Sequence, residues 1–367
     1  ALLVVGSTPV LAYDQNNTHP ALTDEIVDFY NLNFPDKKLN NEEKQWLIQG
    51  SIDEDAGERP LFHFYDPIYN RGIAGGTSSK QWALANGIQT AYYNSQQTGL
   101  AAFSNAPSPG DFSYQRALDD YAKGDRKRAL SAFGHVLHLL EDAGVPDHTR
   151  NDPHPGFVPG QESPYEKEMA KWNPGNLQIA RELFLKREKP ITFYTMESYF
   201  DRVANYSNNN FFSKDTISNT EYRKPTINNI KNFKLSNEKH YFIVGNDQKS
   251  GSEFPLAFLE TKIVQGKMEI LNKSLSNDKI GPYILNGYWE RLSKEIVLNG
   301  AGALRLFLEE AERAKEEYAS RPPVKPGLWA QLLGILGIGD TTHNTNTETA
   351  SVDNSGQLKT ELTTPDV

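Results

Sequence analysis

Through most of this chain apolar residues recur at three- and four-residue intervals, a period that predicts helices. Thr18 is placed to cap a helix running through EIVDFYNL, with Pro20 in its permissive first turn. Asn40 followed by Glu43 has the form of a capping box opening EEKQWLIQGSID. The period returns in SSKQWALANGIQTAYY, FSYQRALDDYAKG, DRKRALSAFGHVLHLLED and NLQIARELFLKRE, then in the long NGYWERLSKEIVLNGAGALRLFLEEAERAKEEYA. Between residues 206 and 267 Asn, Ser and Thr accumulate around the short strand-like runs HYFIVG and FPLAFLE. The expectation is an all-α body carrying a small β-rich insertion, placed as a lid.

The two ends read differently. Residues 1–12, ALLVVGSTPVLA, have the apolar character of a secretory signal remnant cleaved after Ala12. That predicts a secreted or periplasmic protein whose mature chain begins at Tyr13, with a main domain over 13–319. SRPPVKP opens a linker near Ser320, and the apolar GLWAQLLGILGIG that follows completes a segment over 320–340. It is too short to span a bilayer; docking on the body is the first expectation and peripheral membrane contact the second. Residues 341–367 are polar and of low complexity, the signature of a disordered tail.

Composition narrows the chemistry. The chain has 367 residues, a net charge of −9 and no cysteine. Thiolate metal sites and disulfides are excluded, so any metal must sit on His, Asp, Glu or backbone groups. The acidic balance disfavours a broad polyanion-binding face.

Residues 135–155, HVLHLLEDAGVPDHTRNDPHP, hold four of the eight histidines and three aspartates. His138 and Asp142 stand four apart in a helical run, so they project from one face. Gly144-Val145-Pro146 then ends the helix and lets His148 approach from another direction. Imidazole and carboxylate donors so spaced suit zinc. Further ligand-type residues lie in other segments: His19 at the first helix start, Asp53 and Asp55 after the second, His63 in FHFYDP, and Glu162 and Glu166 near a helix opening at Ser163-Pro164. His135 is expected to support or pack rather than ligate, and Asp53 and Glu54 to be solvated or to support Asp55.

In their order, His19, Asp55 eight residues before the His63 of HFYDP, the H-x3-D-x5-H element of His138, Asp142 and His148, and Glu166 resemble the bacterial zinc-dependent phospholipase C family. Its helical fold is shared with single-strand-specific fungal nucleases. The resemblance covers roughly residues 13–170 and implies three zinc ions per chain. Asp55, His63, His138 and Asp142 would hold the first; Tyr13, through its α-amino and carbonyl groups, with His19 and a bridging Asp142, the second. His148 and Glu166 would hold the third. Tyr13 stands where the family has tryptophan, and Glu162 where it has a histidine; either Glu162 or His154 completes the third set. Asp55 would also orient or deprotonate the nucleophile.

The function implied is phosphodiester hydrolysis, with a phospholipid as the expected substrate. Ala56 and Pro60 leave a choline group without its aromatic surround, which counts against phosphatidylcholine. A nuclease or nucleotidase acting on nucleic acid is the first alternative, and a non-catalytic exported metal-binding protein the second. No protein partner is inferred.

Overall fold

The computed structural model describes residues 17–321 except 57–58, 86–88, 90–109, 155–159, 173–177, 219–220, 223–224, 226, 236–237, 248–250 and 276–279. Tyr13, the signal segment, and residues 322–367 of the linker and tail lie outside the described residues.

Helix α1 (Thr18–Asn33) starts at Thr18 itself. Thr18 is therefore not its cap; its buried hydroxyl donates instead to the carbonyl of Met169 at 3.3 Å. Helix α2 (Asn41–Asp53) opens on the expected capping box: the Asn40 side chain accepts from the Glu42 and Glu43 amides, and Glu43 reaches back to the Asn40 amide at 2.8 Å. The body continues with α3 (Ser79–Ala83), α4 (Tyr114–Ala122), α5 (Arg126–Asp142), α6 (Pro146–Thr149), α7 (Pro164–Met169), α8 (Ile179–Leu185) and α9 (Met196–Asn210).

Helix α5 is buried all round from Ala132 to Asp142. Such a helix belongs at the centre of a domain, with others covering every face. Helix α2 crosses it closely because glycine faces backbone on both sides. A Cβ on Gly134 would stand 2.2 Å from the Leu47 carbonyl oxygen, and one on Gly50 2.0 Å from that of Ser131. This approach brings the end of α2, with Ser51 and Asp55, beside the histidines of α5.

The β-rich region is a four-stranded antiparallel sheet in sequential order, β1 (Ile227–Leu235), β2 (Glu238–Asn246), β3 (Glu253–Val264) and β4 (Lys267–Ser274). The runs HYFIVG and FPLAFLE fall in β2 and β3. Two boundaries differ from the sequence expectation: α9 carries helix through Tyr206 to Asn210, and the sheet runs past residue 267 to Ser274. Helix α10 (Gly281–Ser320), about 60 Å long at the helical rise, then backs the body. Phe307 stacks on Phe133 of α5 at 4.2 Å, and Tyr288 donates its hydroxyl to the Leu256 carbonyl of β3 at 2.6 Å. The described residues are thus mostly helical with a small sheet seated on the last helix. No helix among them is long and apolar enough to cross a membrane.

Candidate metal centre

Helix α5 supplies His138 and Asp142 from one face, both fully buried. Asp142 is the last helical residue, where the macrodipole disfavours a carboxylate. Four imidazoles surround it. Its Oδ1 lies 3.5 Å from His19 Nε2 and 3.3 Å from His148 Nδ1; its Oδ2 lies 2.8 Å from His63 Nδ1 and 3.4 Å from His138 Nε2. Each arrives on a different element. His19 sits in the first turn of α1, His63 follows a short turn after α2, and His148 lies in α6 once Pro146 has restarted the chain.

Asp55 extends the cluster on one side, with Oδ1 3.6 Å from His138 Nε2 and 3.7 Å from His63 Nδ1. Glu166 extends it on the other, with Oε1 3.1 Å from His148 Nε2 and Oε2 2.9 Å from His154 Nε2. Three groups result, each of two imidazoles and one carboxylate: His19, His138 and Asp142; Asp55, His63 and His138; His148, His154 and Glu166. His138 belongs to the first two, and Asp142 also touches the third through His148.

These atoms converge without hydrogen-bonding one another in full. Among the described residues, both carboxylate oxygens of Asp55 and of Asp142, both ring nitrogens of His63, Nε2 of His138 and Nδ1 of His148 have no hydrogen-bond partner. Buried polar atoms left so are costly, about 1–3 kcal/mol each. Their spacing gives the reason. Donor atoms around a tetrahedral zinc, at bonds of about 2.0–2.1 Å, stand roughly 3.3 Å apart, close to most of the distances above. Two imidazoles and a carboxylate with positions left over also form a known donor set for catalytic zinc. The residues fit a divalent ion.

The rings are held from behind. His138 Nδ1 donates to the Ser51 carbonyl at 2.7 Å, and His154 Nδ1 to the Asp152 carbonyl at 2.8 Å, which aims each Nε2 into the cluster. His19 Nδ1 lies 2.6 Å from Glu141 Oε2, and Thr23 donates to the other Glu141 oxygen at 2.8 Å. Beside His63, the fully buried Glu54 accepts from Arg59 at 2.6 and 2.8 Å and meets His135 Nδ1 at 2.5 Å. His135 meets Glu54 and belongs to none of the three groups, while Asp53 is exposed and Glu54 is buried.

Electrostatics follow from burial against pairing. Burial opposes charge on His19 and His148, yet Asp142, with Glu141 and Glu166 respectively, lifts both to about 10. His154 rises to about 9, burial being outweighed by Glu166. Glu166 itself falls to about 2 against burial, through His154 and His148. Asp142 is held well below the usual carboxylate range because His63, His148 and His138 outweigh burial. At Asp55 burial wins and the value rises. The cluster therefore demands positive charge, from protons or from metal ions.

His19, Asp55, His63, His138, Asp142, His148 and Glu166 are brought together. Glu162 is not. Ser163 caps α7 through the Glu166 amide and Pro164 begins it, so Glu162 precedes the helix and cannot share a face with Glu166. Its carboxylate turns back to the Gly160 amide at 3.1 Å, and His154 occupies the third group instead. Glu141, Thr23 and the Ser51 carbonyl were not marked by sequence reasoning. The signal for Glu141 was a charged residue inside an apolar helical run; the carbonyl left none. No protein-family model matches this chain, and a search of curated proteins finds no match either.

Proposed function

We propose that this chain is an exported multi-zinc hydrolase of phosphate diesters, similar to zinc-dependent phospholipase C, with the helical body over residues 13–319 as its catalytic domain. The observation that carries the reading is Asp142, a buried carboxylate within 2.8–3.5 Å of four imidazoles from four segments, which between them draw on all three ligand groups. A carboxylate so placed suits a bridge between neighbouring cations, the arrangement that two-metal hydrolysis needs.

Asp55, His63 and His138, with Asp142, would hold one ion, His19 with the shared Asp142 a second, and His148, His154 and Glu166 a third. Tyr13 remains the proposed backbone ligand beside His19. Bound there, the ions would acidify water and neutralise charge growing on the phosphoryl oxygens. The protein's own part is to fix direction. Ser51, Asp152 and Glu141 lock the tautomers and tilt of His138, His154 and His19. Asp55, 3.6 Å from His138 and 3.7 Å from His63, would also be placed to orient or deprotonate the nucleophile. Glu54, fixed by Arg59 and His135, holds a negative charge behind His63.

The test is hydrolysis by chelated and zinc-restored protein of a phospholipid panel, a chromogenic phosphodiester and single-stranded DNA. Zinc-dependent cleavage of lipid and chromogenic ester is expected. Cleavage of DNA alone would favour the nuclease reading. Stoichiometric zinc with no hydrolysis would leave a metal-binding protein and reject catalysis.

A further inference from the structure

The outer end of the β3–β4 hairpin carries apolar residues that stay exposed among the described residues. Register sets Thr261 opposite Ile270, Lys262 opposite Glu269, Ile263 opposite Met268 and Val264 opposite Lys267. Opposed residues share a face, as do alternate residues of one strand. Thr261, Ile263, Met268 and Ile270 therefore form one face, and its three large residues are 63%, 39% and 42% exposed. Leu271, the extra residue at the register shift beside Thr261, is 58% exposed. The inner half of β3 contrasts sharply: Phe254, Leu256, Ala257 and Leu259 are buried. Gln265 and Gly266, with φ of 50° and 76°, close the hairpin with positive φ at both turn positions. Such a two-residue turn matches the twist of its strands, so the hairpin is preformed.

We propose that this hairpin end docks the protein on a phospholipid surface. Charge favours that occupant. Residues 261–269, TKIVQGKME, hold two lysines and one acid, Glu269 opposite Lys262, so the hairpin end is net positive in a chain whose net charge is −9. Lys262 and Lys267 lie on the other face of the hairpin end from Ile263 and Met268, so with the turn inserted end-on their aliphatic stems can lie along lipid while the ammonium groups meet phosphate. A second copy of the chain fits less well. One short face of four side chains falls far below the roughly 800 Å² per partner of a stable interface. Pairing along β4, an edge strand, is discouraged by Lys267, Glu269 and Lys273 and by the irregularity at Glu260/Thr261. The docking surface stands apart from the reaction and is tested separately.

The test is co-sedimentation of the full chain with vesicles of phosphatidylcholine alone or mixed with phosphatidylglycerol. The wild-type protein is expected to bind, more strongly to the mixed vesicles. Ile263→Ser/Met268→Ser/Ile270→Ser is expected to lower partitioning by at least about tenfold with the melting temperature unchanged, because the residues are exposed. Lys262→Glu/Lys267→Glu is expected to lower binding to the mixed vesicles by about tenfold and to phosphatidylcholine far less. Absence of wild-type binding, or a triple variant that binds as wild type, overturns the proposal. So does a triple variant that only converts a dimer to a monomer in sedimentation velocity. A protein that binds vesicles yet cleaves no soluble phosphodiester would reject the hydrolase reading and leave the docking surface intact.

Discussion

Asp142 and Glu162 make opposite predictions although both are acids in ligand-rich stretches. Asp142→Asn removes a charge that four buried imidazoles face, and it is expected to lower metal content in elemental analysis by more than one ion per chain. His154→Ala should remove about one ion, and Glu162→Gln none, since Glu162 caps Gly160 outside the cluster. Glu141→Gln leaves every ligand in place but weakens the hold on His19; metal affinity, measured by competition with a chelator, should fall about 10–100-fold. At this scale the sequence was informative where chemistry resides in a side-chain type at helical spacing, as with His138 and Asp142. It was silent on Ser51, which acts through a carbonyl that any residue carries. It misled on Glu162 because a four-residue interval places two residues on one face only when both lie inside the helix.

The crossing of α2 and α5 sets where those residues meet. Gly134→Ala would drive a methyl group into the Leu47 carbonyl, and the helices must part. A loss of about 3 kcal/mol is expected in chemical denaturation, together with weaker metal retention because Ser51 lies in α2 and Asp55 follows directly on its end. Asn40→Ala, which removes only the capping box, should cost about 1 kcal/mol and leave metal retention unchanged. Helices with an apolar stripe and a polar cap were legible, α2 and α5 most clearly. Strand β4 was not: its residues are exposed on both faces for most of its length, so no alternation of apolar and polar positions exists to be read. The mixed composition of MESYFDRVANYSNNN likewise hid α9, whose buried stripe of Met196, Tyr199, Phe200 and Val203 emerges only against its neighbours.

For the whole molecule, acid and chelation act on the same store of buried charge. Glu54 has its folded value lowered from 4.5 to about 2, burial being overcome by Arg59 and His135. A lowered carboxylate stabilises the fold above its unfolded value and loses that contribution as pH falls through the folded one. The window is therefore pH 4.5 down to about 2, and about 3 kcal/mol is at stake. Glu54→Gln should be less stable at neutral pH and flatter across that window in urea denaturation. Chelation should lower the melting temperature of wild-type protein, since ions bound only by the folded chain stabilise it by mass action. The most direct measurement is anomalous diffraction at the zinc edge from crystals of protein purified with its metals. Three peaks are predicted, clustered around Asp142 and within bonding distance of His19, His63, His138, His148 and Glu166. A map with no peak there, or with zinc only at surface sites elsewhere, would contradict the metal centre.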